Sequence, residues 1–436
     1  MQLVYRHFIW RYALAHYGKS LFWYTSELLF PFYLTEIGLF SGWAMGLVIG
    51  ASLVFSVLAD LVVGWLGRRC LSSARRAGQC QIIGASLSVI SILSFFACVW
   101  TPSAERVAYA LVALLCFRFT YALYDIAQDV LVNLATNGRN QRSHLTGVHF
   151  SFSGIASITV ATLVTPMVAM HDGKAHSGFF MLAALLSVGA LASSLQLGRY
   201  LRWSDAARSE PARVSSPHQD TTPPMFYFVM TFLLSLCGPM FAKVAPYYGA
   251  YAMHHRFAGT IMISLYSLGV VLAFPLFASL VHRMHRMLIM VRAALCMVAV
   301  SIVIMSAAQL DAYVLYGAAF ALGISWGMLG ILCWSGFADA VSRKQTRAVS
   351  FDYAQFLASA KAGLLLAVIL IGATLSSLDY KSTQAQDLLP LMATPSIVAG
   401  VALLLMCWNR RLATRATGSI GMAHHQARLV NASYDS

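Results

Sequence analysis

Residues 117–149 read FRFTYALYDIAQDVLVNLATNGRNQRSHLTGVH. The pattern is an apolar helix carrying Arg118, Asp125 and Asp129, then a short basic loop, then a second apolar helix entered at His149. A charge inside an apolar span costs about 2.5–3.5 kcal/mol on insertion scales, and it persists mainly where it faces a bundle interior or a wet cavity. Arg118 and Asp125 are seven residues apart, and Asp125 and Asp129 four, so all three share one helix face. That face is read as one wall of a path for a solute and an ion.

The rest of the composition agrees. Of 436 residues, 59% are hydrophobic and 11% charged, with a mean hydropathy of +0.68, whereas soluble domains carry roughly 25% charged residues. Eight cysteines form no CxxC pair and mostly lie inside apolar stretches, so neither a disulfide framework nor a zinc site follows from their spacing. The first apolar stretch is too long for a cleavable signal and continues as a span.

A span needs about 20 apolar residues. Twelve are expected: 10–34, 41–66, 80–100, 107–134, 145–170, 178–197, 225–253, 258–281, 287–307, 312–337, 349–375 and 395–408. The net charge of +14 follows the spans. With the N-terminus taken as cytoplasmic, inner loops hold Arg68, Arg69, Arg75, Arg76, Arg139, Arg142, Arg283, Arg286 and Arg343. Outer loops hold Arg106, Lys174, Arg256 and Lys381. This is the positive-inside asymmetry, and it removes the need for a nucleic-acid partner.

The segment 200–224, YLRWSDAARSEPARVSSPHQDTTPP, is polar and rich in Pro and Ser, and reads as a cytoplasmic linker. It divides the chain into a six-helix half at 1–199 and another at 225–409, with a basic cytoplasmic tail at 410–436. The halves echo each other weakly. LADLVVGWLGRR (58–69) matches FASLVHRMHR (277–286) in place, and LATNGRNQRSHLTGVHF (134–150) matches DAVSRKQTRAVSFDY (339–353). The expected fold is therefore an all-α polytopic membrane protein built from two parallel repeats, with its site between them near the midplane.

Four motifs in register carry a resemblance: YGKS at 17–20, ADLVVGW at 59–65, YDIAQ at 124–128, and Lys361 in FLASAKAGLLLAVILIGATL. Together they resemble the glycoside–pentoside–hexuronide:cation symporters, the melibiose-permease-like branch of the major facilitator superfamily, over nearly the whole chain. The resemblance implies a major facilitator fold. It implies a coupling-cation site at Asp60 and Asp125, sugar binding by Asp125 and at the position of His149, and lysines beside the site at Lys19 and Lys361. It also shows departures. Ser20, Ala59, Ser56 and Asp129 stand where the family has an aspartate, an asparagine, a carboxylate and a stacking aromatic. Loss of oxygen ligands favours a proton over sodium, since a proton needs only one suitable carboxylate. Loss of sugar contacts points away from a simple galactoside.

Each residue also has a structural reading. Asp125 can serve as an ion-pair partner of Arg118 or Lys361, and Asp60 as a helix-end contact of Arg68 and Arg69. Glu27 can pair with Lys19 or Lys243, and Asp129 can receive Lys19. His149 can be a proton carrier or simply a hydrogen-bonded core residue. Asp339 is read as a gate salt bridge to Arg343 or Arg347. The cation-coupling candidates are thus Asp60, Asp125 and Ser56. The substrate-binding candidates are Lys19, Arg118, Asp125, Asp129, His149, Lys361, Glu27 and Lys243, with sodium an option at Asp60 and Asp125.

No nucleotide loop, HExxH or hydrolase pattern appears, so an enzyme is not expected. The expected function is secondary transport of a small polar solute, of the sugar or glycoside class, by cation symport. An exporter of a metabolite or drug, a lysolipid carrier and a transporter-like sensor without flux remain open. No cofactor beyond the coupling cation is expected. The partners are the solute and the bilayer, the chain is taken as a monomer, and the location as a bacterial inner membrane with both termini cytoplasmic.

Overall fold

The computed structural model describes residues 2–30, 33–136, 138–168, 175–203, 222–255, 257–306, 311–343, 348–378 and 386–432. Residues 204–221 of the expected linker lie outside the described residues. So do Lys174, Arg256, Arg347 and Lys381, and the side chains of the basic tail past Arg410.

Among the described residues twelve long helices follow one another. They are α1 (Gln2–Tyr24), α2 (Gly42–Cys70), α3 (Ala74–Phe96), α4 (Arg106–Asp129), α5 (Arg139–Val168) and α6 (Ala175–Trp203), then α7 (Pro224–Tyr247), α8 (Ala258–Val281), α9 (Arg286–Met305), α10 (Ala312–Arg343), α11 (Val349–Ser377) and α12 (Leu388–Ala432). Eleven are long and apolar enough to cross a membrane. The exception, α1, is long enough but carries Arg6, Arg11, His16 and Lys19.

Local chemistry sets several ends. Ser41 Oγ accepts from Ala44 N at 3.2 Å to open α2, and Ser73 Oγ accepts from Arg76 N at 3.3 Å to open α3. Pro224 begins α7, where its missing N–H is not needed. Both α1 and α7 run on into π-helical turns, Thr25–Leu29 and Tyr248–Ala252, a distortion frequent at functional sites. Among the described residues, the connections that follow each contain one non-glycine residue in the left-handed region, Leu39 (φ 57°) and His254 (φ 50°).

Span four keeps its expected extent, Arg106–Leu134, as a helix to Asp129 followed by a separate turn at Leu131–Leu134. Helix α12 continues through the basic residues after Arg410 as far as Ala432.

The packing repeats itself. In the first half α1 packs on α5 and α6, α2 on α4, and α3 on α4 and α6. In the second, α7 packs on α11 and α12, α8 on α10, and α9 on α10 and α12. Raising every helix number by six converts one set into the other. The halves meet where α2 lies on α11 and α5 on α8. Trp43, Leu58, Val62, Val112, Leu185, Ile369 and Leu405 point outward, while Lys19, Asp60, Arg118, Asp129 and Lys361 are buried. That distribution suits a hydrocarbon exterior and a polar interior.

Candidate substrate cavity and its ion pairs

A cavity of about 230 Å³ lies between the halves. Helical spacing explains its lining. From α1 and the π-helical turn that continues it come His16, Lys19, Trp23 and Glu27, and from α4 Tyr121, Asp125 and Asp129. From α5 come His149, Ser153 and Ser157, from α10 Trp326, Gly330 and Trp334, and from α11 Lys361. Each set repeats every three or four residues, so each is one stripe of its helix. Helices α7 and α8 complete the wall with Lys243, Tyr266 and Ser267 among others.

The charges are paired. Lys19 Nζ lies 2.7 Å from Asp125 Oδ1 and 2.7 Å from Asp129 Oδ1. Arg118 donates two bonds to Glu27 Oε1, both 3.3 Å, and one to Ser26 Oγ at 3.4 Å. Lys243 Nζ donates to Glu27 Oε2 and to the Glu27 carbonyl oxygen, each at 3.0 Å. Lys361 Nζ donates to Asp60 Oδ1 at 2.7 Å. Helices α1 and α4 are thus clasped twice, with the sign reversed between the two clasps. Lys19 and Glu27 are eight residues apart along α1 and its π-helical continuation, and Arg118 and Asp125 seven on α4, so the two levels match.

These pairs settle the alternatives that the spacing left open. Asp125 and Asp129 both take Lys19, while Arg118 takes Glu27 rather than Asp125. Asp60 meets Lys361 instead of the helix-end arginines, and Arg68 lies over the Phe351 ring at 4.2 Å. The structure brings Lys19, Glu27, Asp125, Asp129, His149, Lys243 and Lys361 to the cavity wall. It does not bring Arg118, Asp60 or Ser56 there. Arg118 is buried behind Glu27, Asp60 behind Lys361, and Ser56 Oγ is buried without a hydrogen-bond partner.

His16 was not among the residues singled out. Its ring stacks on that of His149, with centroids 3.6 Å apart. It stands three residues before Lys19, so extending the Lys19 face by one turn was the available signal. Trp23, Trp326 and Trp334 were also missed, because a tryptophan in an apolar helix looks the same facing lipid or cavity. In fact Trp326 Nε1 donates to the Leu234 carbonyl oxygen at 2.8 Å, and Trp334 packs against His149 with centroids 4.7 Å apart.

Beyond the cavity, at the arginine-rich end, the halves are tied together. Asp339 of α10 accepts from Arg142 Nε at 2.7 Å and pairs with Arg139 at 3.3 Å and with Arg286 at 3.4 Å. Arg343 does not pair with it in the way its spacing implied, and donates to the Thr222 carbonyl oxygen at 3.1 Å. Asn133 Nδ2 donates to the Ala338 carbonyl oxygen at 2.9 Å and to Ser342 Oγ at 2.7 Å, and Asn133 Oδ1 accepts from the Tyr353 hydroxyl at 2.6 Å. Ser350 Oγ donates to the Gly64 carbonyl oxygen at 3.0 Å.

Two six-helix halves around a largely apolar cavity studded with paired charges, tied together at one end by polar contacts, define a multi-pass membrane carrier. The chain belongs to the MFS/sugar transport protein family, whose model matches residues 11–409. That is a family of transporters, not of enzymes. Among solved structures, the chain is similar to a bacterial homologue of the iron transporter ferroportin in its outward-facing state. The TM-score is 0.65 at 11% identity, covering 93% of this chain and 99% of that one. It is similar to the same degree to the major facilitator superfamily proton:xylose symporter XylE bound to 6-bromo-6-deoxy-D-glucose, with TM-score 0.65, 15% identity, and coverage of 93% and 96%. At these identities the likeness is one of fold. No curated protein matches the chain.

Proposed function

We propose that this transporter moves a small polar solute of the sugar or glycoside class by alternating access, coupled to a proton that binds at Asp60. The observation that carries the reading is the Lys361–Asp60 pair, 2.7 Å long, between α11 and α2 of opposite halves. Opening the arginine-rich end separates those helices. With Asp60 ionised, the separation strands two charges away from water, which is strongly unfavourable. A proton on Asp60 removes one of them and frees Lys361, which lines the cavity, for solute or water. The ammonium already stands where a sodium ion would sit, and this favours the proton. Asp125 lies in the same polar region, held by Lys19.

The solute class rests on the lining and on size. Trp23, Trp326 and Trp334 offer apolar faces to a ring, and Lys19, Glu27 and Lys243 offer charged hydrogen bonds to hydroxyls. A volume of about 230 Å³ falls below the roughly 300–1,000 Å³ of drug-sized sites, which argues for a small solute over a lysolipid. The family description and the sugar-bound neighbour point the same way. By the positive-inside rule, the arginine-rich end and both termini are cytoplasmic, in a bacterial inner membrane, with one chain sufficient for transport.

The test uses purified protein in proteoliposomes. A sugar panel is first screened by thermal shift, since a ligand of the native state raises the midpoint. The best ligand is then followed in uptake under an imposed pH gradient and in counterflow. Wild type should accumulate it, and Asp60→Asn should lose accumulation while keeping counterflow. Accumulation undiminished in Asp60→Asn rejects the coupling role. Binding without counterflow in wild type identifies a sensor, and silence from every sugar removes the solute class.

A further inference from the structure

Helices α1, α4 and α5 bring His16, Asp129 and His149 together, each offering a ligand atom within 4.8 Å of the other two. All three residues are buried. Nδ1 and Nε2 of His16, Nδ1 of His149 and Oδ2 of Asp129 have no hydrogen-bond partner. Buried polar atoms are nearly always bonded, and each exception costs about 1–3 kcal/mol. Several unbonded lone-pair donors this close together describe a site for an electron-pair acceptor, which the two histidines reach once their stacked rings turn.

We infer that His16, His149 and Asp129 bind a divalent transition-metal ion of the zinc type. Two imidazoles and one carboxylate, with a fourth position left open, are a recurrent donor set for such an ion. A tetrahedral shell with bonds of about 2.0–2.1 Å has donor atoms about 3.3 Å apart, so turning the side chains contracts the cluster. Lys19 bonds Asp129 through Oδ1, which leaves Oδ2 to the metal, and its bond to Asp125 Oδ1 holds the ammonium back. Gln128 lies close to His16 with its own amide atoms unbonded, in place to accept from the ring N–H not used by the metal. The three ligands line the cavity, so the open position faces it, and a hydroxyl or carboxylate of the solute completes the shell. All three belong to the first half, and the ion therefore moves with that half as a unit. The inference is independent of the solute class and of proton coupling.

The test needs protein free of any polyhistidine tag. Isothermal titration of purified full-length protein with Zn²⁺ should show a single site per chain. His16→Ala and His149→Ala should each weaken binding by more than about tenfold, and His144→Ala, an exposed position on α5 away from the cavity, should leave it unchanged. X-ray absorption of the zinc-loaded wild type gives a readout that does not depend on any variant folding. Two imidazoles with the remaining ligands oxygen are expected. The inference is overturned by absence of stoichiometric binding, by sulfur in the shell from any of the eight free cysteines, or by unchanged affinity in both histidine variants.

Discussion

Lys361 Nζ and Asp60 Oδ1 lie 2.7 Å apart on helices of opposite halves, and the exposures of the two side chains are 3% and 0%. Asp60 Oδ2 has no other partner, so the lysine is the carboxylate's one hydrogen-bonded neighbour among the described residues. Removing the cation alone leaves a buried anion uncompensated. Lys361→Met is expected to lower stability by about 3–5 kcal/mol, and Asp60→Asn/Lys361→Met to recover most of that loss. Thermal midpoints of the four members of the cycle check this. Equal losses in Lys361→Met and in the double variant would show that the pair is not what compensates Asp60.

Asp339 is the hub of the arginine-rich end, taking Arg139 and Arg142 from one half and Arg286 from the other. A charged hydrogen bond contributes roughly 1.5–3 kcal/mol. Asp339→Asn should therefore weaken closure of that end by about 2 kcal/mol, enough to shift a closed-to-open ratio by more than tenfold. Spin labels at Arg75 and His282, exposed on the two halves, should report longer distances in the variant. An unchanged distance distribution would remove Asp339 from the closing contact.

The fold was legible because hydropathy, charge asymmetry and the mid-chain polar segment are all properties of long stretches. They survive errors of several residues at helix ends. The site was legible only in part. An intramembrane charge announces itself, so Lys19, Glu27, Asp125, Asp129 and Lys361 stood out. Two of their pairings were among the alternatives, Asp129 with Lys19 and Glu27 with Lys243. Asp125 with Lys19, Arg118 with Glu27 and Asp60 with Lys361 were not, because they depend on which helices face each other across the bundle. Depth behind the wall was also hidden. Asp60 and Lys361 share a contact, yet only Lys361 reaches the cavity. The tryptophans were silent for the reason that makes them useful, since lipid and a sugar ring both accept an apolar face.

Glu27 holds two cations at once, Arg118 at 3.3 Å and Lys243 at 3.0 Å. The two should respond differently to its loss. Arg118 is 1% exposed and has no other acidic partner among the described residues. Glu27→Gln should thus cost about 3–5 kcal/mol, most of it recovered when Arg118→Met is added. The Lys243 side chain is 17% exposed and can be reached by water from the cavity. Lys243→Met should cost about 1 kcal/mol or less after screening. The check is the order of the thermal midpoints. A larger loss from Lys243→Met than from Glu27→Gln would assign the structural role to the wrong cation.

Two glycines separate contact between halves from contact within one. A Cβ at Gly64 of α2 would overlap Ala354 Cβ of α11 and lie 3.0 Å from the Ser350 carbonyl oxygen, across the interface between the halves that the proposed alternating access opens. A Cβ at Gly323 of α10 would overlap the Tyr266 carbonyl oxygen of α8, inside a single half. Backbone cannot yield in either place, but the halves can move apart at the first. Gly64→Ala should leave the thermal midpoint nearly unchanged and lengthen the Arg75–His282 distance. Gly323→Ala should lower the midpoint by the equivalent of about 1–3 kcal/mol and leave that distance alone. If Gly64→Ala instead lowers the midpoint as much as Gly323→Ala does, α2 and α11 act as one packed core, and the rigid-half account of opening fails with it.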